Sequence, residues 1–368
     1  MRGLEVMVTL IRLVWWTVLG LRALTAPCVN DAAAQSSQPP HSGLVSVPGA
    51  RLHYLDFGGS GPPLVFLAGL GNTAHVFEDF APRFTDRFRV LALTRRGFGA
   101  SVRIAGGFDT ATLVEDLHAV LDSLVLGPVV LVGHSMAGDE LSEFAARYPE
   151  RVTALVYLDA GYDRSGGMAR LGRWAAARQL PPPRPGPTGR DRASVADFAE
   201  YLARVHGVRW PRAEIIARHQ VDAAGRVQGE IAAPSTYLEI VRGERRVDYG
   251  RIGAPVLAIY AVDRPIAVEY PWIGSMVVGR GAAMNQARRA LQAQRAWEGE
   301  QRRRLARELS GARVVAIDGT HHYLFIAAAD RVERDIRVFL AEATGPARAA
   351  SGPGTPAPPP RPTAHARR

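Results

Sequence analysis

Ser135 stands where a hydroxyl can become a nucleophile. It follows Val129-Val130-Leu131-Val132-Gly133-His134, a Val-rich apolar run closed by a glycine, and precedes Met136-Ala137-Gly138 and a helix-like stretch. A strand that turns sharply into a helix strains the backbone of the turn residue and admits only small residues two positions to either side. Gly133 and Ala137 meet that demand. A serine hydroxyl attacks a carbonyl only when a base takes its proton. Adjacent histidines, His321 and His322, follow another apolar run, 314–317. An imidazole, with an unperturbed pKa of ~6.5, can take that proton and return it to a leaving group near neutrality. A carboxylate must then accept the other imidazole N–H and hold the tautomer. Asp159 and Asp263 each stand just after an apolar run, 154–158 and 256–260, with Asp163 a little beyond the first. These residue types suit acyl transfer through a covalent serine intermediate.

Such groups meet only if the chain carries them to one edge. The compact β-rich runs 64–67, 90–93, 129–132, 154–158, 256–260 and 314–317 are apolar throughout, as strands of a buried parallel sheet are. An opening hairpin is expected at 44–47 and 51–57, around Pro48-Gly49. Helical stretches lie at 110–124, 136–148 and 332–341; the first places Leu113, Leu117, Val120, Leu121 and Leu124 on one face. Pro149 stops the second. Strand–helix alternation predicts an α/β fold with a doubly wound, mostly parallel sheet. The interval 161–249 breaks the rhythm and predicts a mostly helical cap insertion above the C-terminal edge of the sheet, where open α/β sheets bind ligands. The expected organisation is an N-terminal segment (1–43), a core (44–160 and 250–344), the cap (161–249) and a tail (345–368).

The strand–turn–helix around Ser135 resembles the nucleophile elbow of the α/β-hydrolase superfamily, with Ala137 where the family pattern has its second glycine. The resemblance runs from about residue 44 to 343. It implies the α/β-hydrolase fold and a serine esterase-like activity with a nucleophile, acid and base in that chain order. The family's Gly-x-x-His pattern falls on Gly319-Thr320-His321-His322 and selects His322 as base, with His321 the second choice. The family places its acid after the strand at 256–260, which selects Asp263, although Ala261 stands where the usual lead-in has glycine. Asp159 is the rival, and Asp163 a more distant one. Ala68-Gly69-Leu70-Gly71-Asn72 resembles the turn that supplies one oxyanion-hole amide, so the resemblance implies backbone N–H donors on Leu70 and Met136, aided by the positive end of the elbow helix. Arg96-Gly97-Phe98-Gly99-Ala100-Ser101 resembles the family's Arg-Gly-x-Gly-x-Ser turn; its glycines are read as structural. Relatives on this fold that open epoxides or remove halides use Asp as nucleophile, which Ser135 argues against.

Composition narrows the partners. The chain has 368 residues, 47% hydrophobic, with a formal net charge of +10, and all its basic residues are Arg. That charge is interleaved with acids rather than gathered on one stripe, so no nucleic-acid partner is expected. A single cysteine, Cys28, excludes an intramolecular disulfide framework and a cysteine-based zinc site. No metal or organic cofactor is implied. Arg2, Arg12, the apolar run 13–21 and Ala32-Ala33-Ala34 read as an export signal followed by a Ser/Pro/Gln-rich linker, giving an exported protein, cleaved or anchored to the membrane through its N-terminus. The tail, rich in Gly, Pro, Ala and Arg, is expected to be disordered. The expected activity is hydrolysis of a small-molecule carboxylic ester. Amidase, lactonase or perhydrolase chemistry would use the same three groups. The reading of a different class is a non-catalytic binding protein on a hydrolase scaffold. Trp174, Phe198, Tyr201, Trp210 and Tyr237 in the cap suit either an acyl pocket or ordinary cap packing.

Overall fold

A computed structural model describes residues 39–102, 106–309 and 311–343. The expected export signal, the expected linker as far as residue 38 and the expected tail (345–368), with residue 344 before it, lie outside the described residues. Among the described residues, no helix is long and apolar enough to cross a membrane.

Ten strands form. Eight make the main sheet: β1 (His41–Val47), β2 (Ala50–Gly58), β3 (Pro63–Leu67), β4 (Arg89–Leu93), β5 (Val129–His134), β6 (Val152–Leu158), β9 (Val256–Val262) and β10 (Arg313–Asp318), in the order β1-β2-β4-β3-β5-β6-β9-β10. The first two ladders, β1 with β2 and β2 with β4, are antiparallel; the rest are parallel. Every residue of β5 is buried, because helices cover both faces. Val130 and Val132 face a core with Phe66, Phe77, Phe80 and Phe325. Val129 and Leu131, one residue out of phase, face the other core with Leu117, Leu141 and Tyr157. This is the period-2 alternation of a strand with apolar layers on both sides. The runs singled out by composition all lie within strands. The exception in burial is β10, which forms the edge of the sheet with only partial cover and leaves Val314 41% exposed.

The helices between strands begin with α1 (Thr110–Ser123) and α2 (Ala137–Arg147). Asp109 caps α1 by accepting the Thr112 N–H. Between β6 and β9 lie α3 (Gly167–Ala176), α4 (Val195–His206), α5 (Arg212–Arg218), the two-stranded ladder of β7 (His219–Val221) with β8 (Val227–Glu230), and α6 (Pro234–Gly243). Within the insertion, four helices and one small ladder that composition did not reveal are joined by long irregular segments. After β9 come α7 (Ile266–Glu269), α8 (Arg280–Glu308), α9 (Leu324–Ala327) and α10 (Ala329–Ala343). The 29-residue α8 escapes a reading by apolar periodicity because its buried stripe is built largely from Ala283, Ala287 and Ala290, among many arginines.

One close approach matters to the elbow. A Cβ on Gly138, in the first turn of α2, would lie 2.4 Å from the backbone nitrogen of Gly161, past the end of β6. Backbone cannot rotate away as a side chain can. Gly138→Ala is therefore expected to push α2 off the strand and lower stability by about 1–3 kcal/mol. Thermal melting checks it; a melting temperature equal to the parent's would show that the helix approaches less closely than this.

Candidate active site

β5 ends where α2 begins, and Ser135 sits between them at φ 54°, a left-handed conformation that L-residues adopt at a cost. It persists because its surroundings hold it. The Ser135 N–H bonds to the Leu158 carbonyl at 3.1 Å, and its carbonyl accepts the Gly138 N–H at 3.1 Å. A Cβ on Gly133 would lie 2.8 Å from the Leu141 side chain and 3.2 Å from the Cβ of Ala137. The small residues at these two positions let the helix fold back on the strand. Ser135 is buried, 4% exposed.

The bond from Ser135 to the end of β6 brings the elbow beside Asp159, the next residue along. Asp159 is fully buried and also left-handed, at φ 44°. Its Oδ2 is 2.6 Å from His322 Nδ1. A carboxylate only accepts, so Nδ1 carries the proton and Nε2 is left to act as base. Oδ1 accepts the Tyr162 hydroxyl at 2.6 Å and the Ala261 N–H at 3.3 Å, and Oδ2 also accepts Arg264 Nη1 at 3.1 Å. Burial alone would raise this carboxyl. The bond from His322, the Arg264 charge and the Tyr162 hydroxyl outweigh burial and hold it well below the usual carboxylate range.

The expectation of Asp263 as acid is corrected. Asp263 is exposed, and the residue that turns inward at the end of β9 is its neighbour Arg264. That guanidinium bonds to Glu269 at 2.7 Å and to Glu298 at 2.6 Å as well as to Asp159. The structure thus fills the space beyond β9 with a cation that supports the Asp159 carboxylate. Asp163, the more distant rival, pairs with Arg304 instead. His321 is also separated from the site: its Nε2 donates to the His206 carbonyl of α4 at 2.9 Å, and its Nδ1 accepts the Tyr323 N–H at 2.8 Å. It ties the loop to the cap, and His322 faces the acid.

The turn after β3 lies against the elbow. A Cβ on Gly69 would sit 2.8 Å from His134 Nδ1 and 3.3 Å from the Cβ of Ser135, so a side chain there would force the turn away from the serine. Leu70 and Met136 are buried in one apolar group with Phe98 and Tyr237, and neither backbone N–H meets a backbone acceptor among the described residues.

Several polar side chains that sequence reasoning left without a role hold these parts in register. Arg95, at the end of β4, gives Nη1 to the Gly69 carbonyl at 3.2 Å and Nη2 to the Ala68 carbonyl at 2.6 Å, while its Nε bonds to Glu140 of α2 at 2.7 Å. Glu214, from the cap helix α5, accepts the Asn72 amide at 2.8 Å and the Thr73 hydroxyl at 2.5 Å, and Asn72 in turn accepts the Tyr323 hydroxyl at 2.8 Å. His134 Nε2 donates to the His322 carbonyl at 3.2 Å. Their only sequence signal is a polar residue beside a motif, which is too common to select.

Behind the elbow, α2 carries a second buried acid. Asp139 is 3% exposed, 3.6 Å from Arg164, with Glu140, Asp163, Glu244 and Arg170 around it. Burial, with the neighbouring acids, raises its carboxyl to about 7 against the opposing Arg164 charge. A carboxyl raised on folding contributes its full stability only below the unfolded pKa of ~3.9 and loses it as pH climbs through the folded value. Asp139→Asn titrates nowhere in that window. Its melting temperature relative to the parent's is expected to improve between pH 5 and pH 8, by about 2 °C or more. An equal difference at the two pH values would mean that Asp139 is ionised in the folded protein throughout.

Comparison with known proteins bears on the fold. A family model described as the alpha/beta hydrolase fold matches residues 62–180. The 2-(acetamidomethylene)succinate hydrolase of Mesorhizobium japonicum is 34% identical over 101 residues, 27% of this chain and 36% of that protein. A putative non-heme haloperoxidase of Mycobacterium phage D29 is 42% identical over 107 residues, 28% of this chain and 37% of that protein. The chain spans just over a third of the length of these curated relatives. Among solved structures, E-2-(acetamidomethylene)succinate hydrolase superposes with a TM-score of 0.59 at 21% identity, covering 82% of this chain and 99% of that one. A thermophilic esterase from Thermogutta terrifontis does so with a TM-score of 0.54 at 20% identity, over 82% and 99%. At that identity the structural likeness speaks for the fold.

Proposed function

We propose, from the α/β-hydrolase superfamily to which this chain belongs, that it is a serine hydrolase cleaving a carboxylic ester through an acyl-enzyme. The observation that carries this reading is the 2.6 Å bond from His322 to the buried Asp159, on a loop whose carbonyl His134 holds from the residue next to Ser135. In the proposed reaction, His322 Nε2 takes the Ser135 proton as Oγ attacks the acyl carbon. The Leu70 and Met136 amides receive the developing oxyanion. Collapse expels the alcohol, which leaves with the proton carried by His322, and the acyl group stays on Ser135. Water then loses a proton to His322, attacks the acyl carbon, and the carboxylic acid leaves as Ser135 regains its proton. Asp159 holds the imidazole tautomer and stabilises the imidazolium formed in each half. Amides and lactones would enter by the same first step and differ in the group expelled.

A fluorophosphonate probe tests this directly. Stoichiometric labelling mapped to Ser135, and lost in Ser135→Ala, is the expected result. Folded protein inert to the probe would favour a binding protein on a hydrolase scaffold.

A further inference from the structure

Over the whole chain the arginines are interleaved with acids, but two stretches are exceptions. No acidic residue stands between Asp163 and Asp191, nor between Glu269 and Glu298. The fold lays these stretches side by side. In α8, Gln286 Nε2 donates to the Leu180 and Pro181 carbonyls at 3.2 Å, and Arg289 Nε donates to the Arg178 carbonyl at 3.4 Å. Further along, Trp297 of α8 packs edge-on against Trp174 of α3, with ring centroids 6.5 Å apart. Arg173 and Arg178 of the first stretch and Arg280, Arg288 and Arg289 of the second are exposed. Arg288 bonds to the side-chain oxygen of Asn285. The ion pairs of α8 lie in its second half, at Arg302 and Arg304. No carboxylate among the described residues pairs with any of the five exposed arginines.

An apolar pair stands at the start of α8. Val277 and Val278, just before its first residue, are 95% and 84% exposed. A single exposed apolar side chain is ordinary; two adjacent ones, standing almost wholly in water beside a basic surface, mark a contact site. Gly279, left-handed at φ 73°, turns the chain from this pair into the helix and sets Arg280 next to it. At 100° per residue, Ala282, Asn285, Arg288, Arg289 and Gln292 share the face away from the buried Ala283, Ala287 and Ala290. That face carries arginines among small and uncharged polar residues, with no acid to repel an anionic surface. An anionic bilayer matches both features. Its phosphates take the paired N–H donors of guanidinium groups, whose stems lie among the headgroups. Its acyl boundary takes the valines. A nucleic acid matches the arginines and offers nothing to the valines.

We propose that this surface docks the protein peripherally on an anionic lipid bilayer, with Val277 and Val278 at the headgroup–acyl boundary and the five arginines on the phosphates. The docking does not depend on the serine hydrolase reading. The full chain is mixed with vesicles of phosphatidylcholine, alone or with about 30% phosphatidylglycerol, and binding is read by sedimentation. Binding to the anionic vesicles is expected to be about tenfold tighter or more, and to weaken with added salt. Two sets of changes are each expected to weaken it about tenfold or more: Arg280→Gln with Arg288→Gln and Arg289→Gln, and Val277→Ser with Val278→Ser. All five side chains are exposed, so melting temperatures are expected to stay at the parent's. A second measurement separates this surface from the apolar run 13–21, which could itself hold the chain on a vesicle. In a Cys28→Ser background, Val278→Cys carries a nitrobenzoxadiazole label, whose emission is expected to rise and shift to the blue on anionic vesicles. Sedimentation with no change in emission, or binding that survives both sets of changes, would overturn the proposal. Binding lost in the Arg variant alone and displaced by an oligonucleotide would replace the bilayer with a nucleic acid and overturn it as well.

Discussion

Ser135→Ala is expected to leave a folded protein whose ester turnover falls about 10⁴-fold or more, a loss of at least ~5 kcal/mol of transition-state stabilisation. The elbow explains why the two effects separate. The bonds that hold residue 135 at φ 54° come from its backbone: the N–H to Leu158 and the carbonyl from Gly138. Alanine keeps both and has the same Cβ against Gly69. Only the hydroxyl is lost. The melting temperature is expected to stay within a few degrees of the parent's, as for a substitution costing about 1 kcal/mol or less. Steady-state kinetics with a chromogenic ester, read beside the melt, decide it. Turnover near the parent level in a folded variant would remove Ser135 from the role of nucleophile.

The second large effect is expected at Asp159. Asp159→Asn keeps the shape of the side chain but can turn an N–H toward His322. The imidazole Nδ1 then accepts, the proton moves to Nε2, and the base can no longer take the serine proton. Turnover is expected to fall about 10³–10⁴-fold, equivalent to ~4–5 kcal/mol, and to recover in part at high pH, where stabilising a charged imidazole matters less. Some stability goes too, because Arg264 loses one of three carboxylate partners, though Glu269 and Glu298 remain. Asp263→Asn is the control. Asp263 is exposed at φ 47°, a conformation that Asn also tolerates, so both turnover and stability should stay close to the parent's, the latter within about 0.5 kcal/mol. A large kinetic loss at Asp263 with a parent-like Asp159→Asn would return the acid to the end of β9.

What could be read from the amino acids alone was local. The elbow needs a buried strand, a small residue two before the serine and another two after it. Each is a constraint among near neighbours in the chain, so Gly133, Ser135 and Ala137 carry it without help from elsewhere. The strand runs were legible for a related reason: a strand covered on both faces must be apolar at every position. That rule overreached at β10, whose place at the sheet edge depends on strand order and not on its own residues. It was blind to α8, where alanine supplies a buried stripe too weakly apolar to stand out.

The acid was decided by tertiary structure. Asp159 and Asp263 both follow a parallel strand, and both adopt left-handed backbone. Only lateral position separates them. β6 lies directly beside β5, and the Ser135 N–H bonds to its last carbonyl, whereas β9 is one strand further out. Beyond β9 the chain turns Arg264 inward and leaves Asp263 to solvent, a choice made by Glu269 of α7 and Glu298 of α8, residues that no motif around Asp263 contains. The charge cluster behind the acid has the same origin. Asp159, Arg264, Glu269 and Glu298 come from the ends of two strands and from two helices, and nothing in their spacing marks them as neighbours. A strained turn is specified by residues a few positions apart. A charge balance is specified by which side chains a fold brings to one wall, and that exists only once the chain has closed.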